Sequence, residues 1–365
     1  MKSLPTPVSM EIFWQTLTKA ELVRGEMPTD SAAVPSEASP WFVKLMLGAA
    51  AWLSALLFLF FLGVLLGSLF WNEWAQMTLG VTSCAMAVWY FARGKSSIFF
   101  DQIFFVTALL GQGLVLSVVF GWFRWTTSNV WLLAALFEVA VMVAINYPPS
   151  RFLSALAALI FLFRTLVLIG ASDLFMPLCL AALAWVLHHQ WKRPRFWPAV
   201  ALALCTAPVL IAIFHGSSIV NWLFESINDV DFLLKIPFWA SRIVLICIWL
   251  GIVYVLLKQA TSAPFSPKNV GVWLLAILLA VGTWPMPLAL FALAVLALGF
   301  SQRDRFLEGI GIAQLLWSVG YYYYALQDTL LFKSLSLFAL GCLLLLLYAA
   351  SHYLSPGEHG TEKKS

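Results

Sequence analysis

The sequence predicts an all-α protein, a polytopic integral membrane helix bundle with about twelve transmembrane helices. Of its 365 residues, 62% are hydrophobic and only 10% are charged, whereas a soluble domain carries about 25% charged residues. The apolar residues also form long runs separated by short polar breaks, and a helix needs about 20 of them to cross the hydrocarbon core. The lipid bilayer is therefore the expected partner of most of the surface.

The runs and breaks divide the chain into two tails and a membrane domain. Residues 1–40 are predicted to form a cytoplasmic N-terminal tail, residues 41–354 the transmembrane domain, and residues 355–365 a cytoplasmic C-terminal tail. The predicted spans lie near 45–70, 74–92, 103–123, 129–147, 152–170, 174–190, 196–214, 236–258, 270–284, 286–300, 306–324 and 331–350.

The ninth and tenth spans form a weak pair. Gly282, Pro285 and Pro287 interrupt the apolar run 270–300, and such residues break helices. Each arm of about 15 residues would be roughly 22 Å long, less than the ~30 Å hydrocarbon core. The pair is therefore either two short spans or a re-entrant hairpin, and both alternatives return the chain to the side it came from.

Basic residues predict the orientation, because cytoplasmic loops carry an excess of Lys and Arg. Of the 21 Lys and Arg residues, only Arg124, Lys235 and Lys333 fall on the outer side if the N-terminus is cytoplasmic. Arg164 and Arg242 fall inside spans. Both chain ends are therefore predicted to be cytoplasmic. The one sizeable outer loop, 215–235, has an apolar stripe at helical spacing and is expected to lie along the outer interface.

Three charged residues inside predicted spans are the candidate site: Glu138, Arg164 and Arg242. Charge inside a bilayer is costly and marks functional sites by default. Reflecting Glu138 through a turn centred near Pro149 brings it within about 4.5 Å of the level of Arg164, which predicts an ion pair. Arg242 lies at a similar depth to Arg164, so the three could line an anion-attracting pocket open to the outside. The alternative is that they only fix helix packing.

No other motif names a reaction. The five cysteines each sit inside an apolar run, without the spacing of metal ligands or of a redox pair. No nucleophile–base set, phosphate-binding glycine loop or basic nucleic-acid face is visible. The sequence therefore predicts no enzyme, no catalytic residues, no cofactor and no metal site, and no nucleic-acid partner.

Two stretches resemble a known family. The head contains residues 12–17 (IFWQTL), 22–25 (LVRG) and 39–45 (SPWFVKL), and the tail contains 303–305 (RDR), 307–311 (LEGIG), 320–323 (GYYY) and 329–331 (TLL). These motifs resemble the bacterial inner-membrane family catalogued as domain of unknown function 4401. The resemblance implies a multi-pass protein of the bacterial inner membrane with no assigned activity. It also hints at other membrane proteins as partners.

Two functions are compatible with these features. The first is a transporter-like protein with an outward-facing polar pocket at the three charged residues, for a small molecule or ion that the sequence does not identify. The alternative is a non-catalytic scaffold or subunit of a bacterial envelope membrane complex.

Overall fold

The computed structural model describes residues 72–94, 98–123, 127–189, 196–214, 237–260, 264–266, 269–284 and 286–325, with isolated positions outside these ranges. Within the described ranges the chain is helical and contains no strand, which confirms the all-α prediction. The α-helices, in chain order, are α1 (Glu73–Ala92), α2 (Ile98–Trp122), α3 (Ser128–Ala144), α4 (Pro148–Leu168), α5 (Phe175–His189), α6 (Trp197–Phe214), α7 (Phe238–Ala260), α8 (Val270–Gly282), α9 (Pro287–Gln302) and α10 (Arg305–Ala325). A 3-10 helix, Ser172–Leu174, precedes α5.

These helices fall where the second to eleventh spans are predicted. Three of them, over Phe99–Trp122, Pro148–Leu168 and Trp239–Gln259, are long and apolar enough to cross a membrane. Several others are apolar but shorter. The predicted first and twelfth spans, the two tails and the interfacial segment 215–235 lie outside the described residues. The number of spans stays a prediction.

Three pairs of consecutive helices pack side by side along their lengths as hairpins: α1 with α2, α3 with α4 and α9 with α10. Two hydrophobic cores result. A smaller one lies among α1–α4 and includes Phe91, Phe105 and Ile145. A larger one extends from α4 to α10 and includes Phe175, Leu183 and Phe291. Helix α4 contributes to both cores, so it joins the two halves of the bundle.

Helix α3 shows an inverted distribution of polarity. Its exposed side chains include Leu132, Leu136 and Val143, whereas Glu138 is 1% exposed. A water-soluble helix places its charges outside and its leucines inside. An apolar exposed face with a charged buried face is the arrangement expected of a helix that contacts lipid.

The break in the run 270–300 is confirmed at the level of the helices. Helix α8 ends at Gly282 and α9 begins at Pro287, where the proline ring occupies a first-turn position that needs no amide donor. Whether the pair consists of full spans or a re-entrant hairpin stays open, since α8 has 13 residues and α9 has 16.

Candidate functional site

A cavity of about 600 Å³ lies at one end of the bundle. It forms where α4, α6 and α10 end and where α5, α7 and α9 begin; we call this the pocket end. The wall is mainly apolar, with Phe163 from α4, Ile211 from α6 and Leu245 from α7. Because helix ends meet there, short connections and first helical turns lie next to the cavity. These segments supply its polar side chains.

The connection between α4 and α5 supplies the acidic group of the pocket. Helix α4 ends at Leu168. Gly170 follows with a left-handed φ of 75°, and the Ala171 amide donates to the Leu166 carbonyl at 2.8 Å. Glycine adopts this conformation without steric cost, which makes it the common helix terminator. The chain then enters the 3-10 helix, and Asp173 lines the pocket.

Arg242, in the first turns of α7, supplies the basic group. Its side chain is half-buried, yet its Nη1 atom is fully buried and has no hydrogen-bond partner. Asp173 stabilises its charge electrostatically. A buried guanidinium nitrogen without an acceptor is unusual, because buried polar groups are nearly always paired. Arg242 also lines the pocket, so its guanidinium group gives the pocket a positive charge that an anionic group can approach.

Two further features complete the pocket. Tyr321 of α10 lines it and is the first of the four consecutive tyrosines. Pro208 of α6 also lines it. A proline inside a helix removes one backbone hydrogen bond and bends the axis, which widens the space between α6 and its neighbours at this depth.

Arg164 does not line this pocket, although Phe163 and Val167 on the same helix do. Arg164 is 1% exposed, and its guanidinium carbon lies 5.9 Å from the centre of the Trp131 ring on α3. It is four residues from the end of α4, as Arg242 is four from the start of α7, so the two arginines do share a depth. They face different neighbours.

Glu138 lies deeper, at a different level from both arginines. The rings of Trp131 and Phe161 are 5.8 Å apart, and Glu138 interacts with the Ser154 hydroxyl group. Both contacts place the centre of the α3–α4 hairpin near Asn146. Ser154 and Arg164 are ten residues apart, roughly 15 Å along the helix. Glu138 is therefore too far from Arg164 for the predicted ion pair, and that prediction is wrong.

The reason for the error is the role of the two prolines. A turn centred near Pro149 makes both prolines turn residues, but Pro148 and Pro149 occupy the first positions of α4. Proline is favoured there, because its fixed φ suits a helix and the missing amide would be unpaired anyway. The turn consequently consists of residues 145–147 and is centred about three residues before Pro149. The α4 residue level with a given α3 residue therefore lies about six residues earlier, roughly 9 Å along the helix, than a turn centred on Pro149 implies.

A second polar cluster lies at the opposite end of the bundle. Tyr90 donates a hydrogen bond to Asp101 Oδ1 at 2.9 Å, and Gln102 Nε2 donates to the Tyr147 hydroxyl at 3.2 Å. Burial, together with the negative charge of Asp101, raises the pKa of Tyr147 above its usual value. Tyr147 therefore remains a neutral phenol whose ring stacks on Phe91 at 4.8 Å. This cluster joins α1, α2 and the α3–α4 turn.

In the part of the chain that the structure describes, no three His, Cys, Asp or Glu side chains come together as a metal site. The free cysteines of that part include Cys179 and Cys205, which are buried. Their position among apolar side chains is that of small core residues.

Apolar exposed faces, buried charge and membrane-length helices define the chain as a membrane protein of the all-α class. A family model described as domain of unknown function (DUF4401) matches residues 40–354. The chain belongs to this family, whose description carries no activity. Comparison with curated proteins and with solved structures gives no match.

Sequence reasoning found Arg242 but missed three of its neighbours: Asp173, Ser241 and Tyr321. Asp173 carried a usable signal, because it is an acidic residue in a short connection on the same predicted side as the start of α7. Ser241 and Tyr321 carried none, since neither their type nor their spacing distinguishes them from helix-packing residues.

Proposed function

We propose that the protein is a transporter-like membrane protein whose pocket binds a small organic anion. The observation that carries this proposal is the half-buried Arg242 side chain in the wall of a cavity of about 600 Å³, where Nη1 is enclosed by protein and has no hydrogen-bond partner. A guanidinium group binds carboxylate, sulfonate or phosphate oxygens through charge-assisted hydrogen bonds. A volume of this size is within the range of small-molecule sites.

The apolar wall favours an organic anion over an inorganic one. Phe163, Phe175 and Leu245 line the cavity beside Arg242. Burying apolar surface of a ligand contributes about 25 cal/mol per Å², and a bare sulfate or phosphate cannot make that contribution. The ligand that fits both features has one anionic group on an apolar body.

Asp173 competes with such a ligand. It is exposed, and its charge acts on Arg242. In the empty pocket this acid offsets the arginine charge across the opening. A bound anion would offset the Arg242 charge instead. Asp173 therefore competes with the anion, and its removal should strengthen anion binding.

The membrane orientation follows from basic residues. Arg93, Arg303 and Arg305 lie at the end of the bundle opposite the pocket. By the positive-inside rule that end faces the cytoplasm, so the pocket opens to the outside. In a bacterial inner membrane it would face the periplasm.

Binding of benzenesulfonate to the purified full-length protein tests the proposal, with sulfate as the matched probe that lacks an apolar body. The readout is the thermal unfolding midpoint as a function of anion concentration, since a ligand of the folded state raises it. We expect saturable stabilisation by benzenesulfonate at concentrations where sulfate has little effect.

Two substitutions make the test specific to the pocket. Arg242→Gln should weaken benzenesulfonate binding about ten- to hundredfold, the value of a charged hydrogen bond, and Asp173→Asn should strengthen it. Arg93→Gln, at the opposite end, is the control and should leave binding unchanged. Equal stabilisation of wild type and Arg242→Gln would place the anion elsewhere and contradict the proposal.

A further inference from the structure

A layer of polar side chains crosses the interior of α1–α4 at the level of Glu138. We call it the polar layer and define it as Cys84, Gln112, Glu138 and Ser154. The rings of Phe120 on α2 and Trp131 on α3 are 4.6 Å apart, so these two residues lie at one level. Gln112 is eight residues before Phe120 and Glu138 is seven residues after Trp131. Because the two helices are antiparallel, Gln112 and Glu138 also lie at about one level. Ser154 interacts with the Glu138 carboxyl group, and Glu138 acts electrostatically on Cys84.

Three members of the polar layer are buried and have unsatisfied atoms. Gln112 is 5% exposed, Glu138 1% and Ser154 0%. Gln112 Nε2 and Glu138 Oε2 lack a hydrogen-bond partner, and Ser154 Oγ lies next to the Glu138 carboxyl group without the geometry of a formed hydrogen bond. More than nine in ten buried polar groups are paired in folded proteins. The Gln112 amide, the Glu138 carboxyl and the Ser154 hydroxyl lie at one level with unused hydrogen-bonding capacity. This arrangement indicates that Glu138 changes its hydrogen-bond partners between two states.

The ionisable groups around Glu138 do not neutralise it in the part of the chain that the structure describes. Helix α2 contributes none at this level, and α1 contributes the Cys84 thiol. On α4, the Arg151 guanidinium carbon lies 4.7 Å from the centre of the Phe196 ring. That of Arg164 lies 5.9 Å from the Trp131 ring, near the pocket end.

A carboxylate held in a bilayer interior without a nearby cation is costly, and a proton removes that cost most directly. We propose that Glu138 is a proton-binding site, with Gln112 and Ser154 stabilising both of its states. When Glu138 takes up one proton, its O–H donates to Ser154 Oγ. When it releases the proton, the Ser154 hydroxyl and the Gln112 amide donate to the carboxylate. This site is separate from the Arg242 pocket, and the inference does not rest on anion binding there.

Difference infrared spectroscopy of the purified full-length protein tests this inference, because a buried carboxylic acid has a C=O band separate from that of a carboxylate. At neutral pH we expect such a band, which weakens as the pH rises. Glu138→Gln should remove it, and Gln112→Leu and Ser154→Ala should shift its frequency by changing the hydrogen bonds. Glu73→Gln, which removes an exposed carboxyl group, is the matched control and should leave it unchanged.

Two measurements keep the result decisive if Glu138→Gln does not fold. Labelling glutamate with carbon-13 at the side-chain carboxyl should shift the band without any substitution, and Glu138→Asp should retain a band at a different frequency. Absence of a label-sensitive carboxylic acid band at neutral and acidic pH would overturn the proposal. Loss of the band on adding sodium chloride, but not choline chloride, at fixed pH would also overturn it, because sodium would then be the ligand.

Discussion

Gly111 sets the distance between α1 and α2. A Cβ atom at this position would lie 2.8 Å from the Gly80 carbonyl oxygen and 2.7 Å from Cys84 Sγ. The first of these atoms belongs to the backbone, so the clash cannot be relieved by rotating a side chain. The close approach of the two helices brings Cys84 next to α2, and it therefore also shapes the polar layer.

Substitution of Gly111 by alanine is expected to destabilise the protein. Overpacking of this kind typically costs about 1–3 kcal/mol, so the thermal unfolding midpoint in detergent should fall clearly. Gly113→Ala is the matched control, because a Cβ atom there meets nothing within 4 Å and alanine favours a helix by about 0.5–1 kcal/mol. Equal loss of stability in both variants would show that α1 and α2 are not packed as described.

At the residue scale, the sequence identified the buried charged residues but did not predict which residues they contact. Glu138, Arg164 and Arg242 stood out because charge is rare within apolar runs. Their contacts depend on helix register, and moving the centre of the α3–α4 turn by about three residues, from Pro149 to Asn146, was enough to bring Glu138 level with Ser154 instead of close to Arg164. Types of residue are local information, whereas register depends on how a turn is built.

At the element scale, the turn between α9 and α10 has only two residues, Arg303 and Asp304, between the helices. Arg303 ends α9 in a left-handed conformation with φ of 56°. Asp304 then caps α10, since its Oδ1 accepts from the amides of Phe306 and Leu307 at 3.0 and 3.3 Å. This Arg-Asp-Arg turn lies in the tail stretch whose residues resemble the family, and its geometry gives a physical reason for an acid in second place.

Removal of this cap should weaken the α9–α10 hairpin. Asp304→Ala should cost about 1 kcal/mol, because two amides at the start of α10 lose their acceptor, whereas Asp304→Asn should retain most of the stability. Arg303→Gly should be neutral or stabilising, since glycine adopts a positive φ without strain. Thermal unfolding midpoints of the three variants check this order, and an unchanged midpoint in Asp304→Ala would contradict the cap.

Helix positions followed from the sequence because they depend on hydrophobic run length and on Pro and Gly breaks. The predicted and observed bounds agree within about five residues from α1 to α10. The largest difference is at α2, which begins at Ile98 and not near 103. Asp101 lies inside the first turn of this helix and accepts a hydrogen bond from Tyr90.

On the scale of the whole molecule, the two polar sites lie in different halves of the bundle. The polar layer belongs to α1–α4, and the Arg242 pocket belongs to α4–α10. Helix α4 contributes Ser154 to the first and Phe163 and Val167 to the second. A rigid element shared by a proton site and a solute pocket is a physical route by which their occupancies could be linked. The sequence could not predict this division, because it depends on which helices pack together.

The central claim, that the Arg242 pocket serves solute transport, is tested most directly by counterflow in proteoliposomes. Benzenesulfonate is a permanent anion, so lipid alone passes it poorly. Vesicles preloaded with unlabelled benzenesulfonate should accumulate the labelled compound transiently, and Arg242→Gln should abolish the accumulation while Arg93→Gln retains it. If the wild-type protein binds benzenesulfonate through Arg242 and yet gives no accumulation above protein-free vesicles, the transport claim is contradicted and the scaffold alternative gains support.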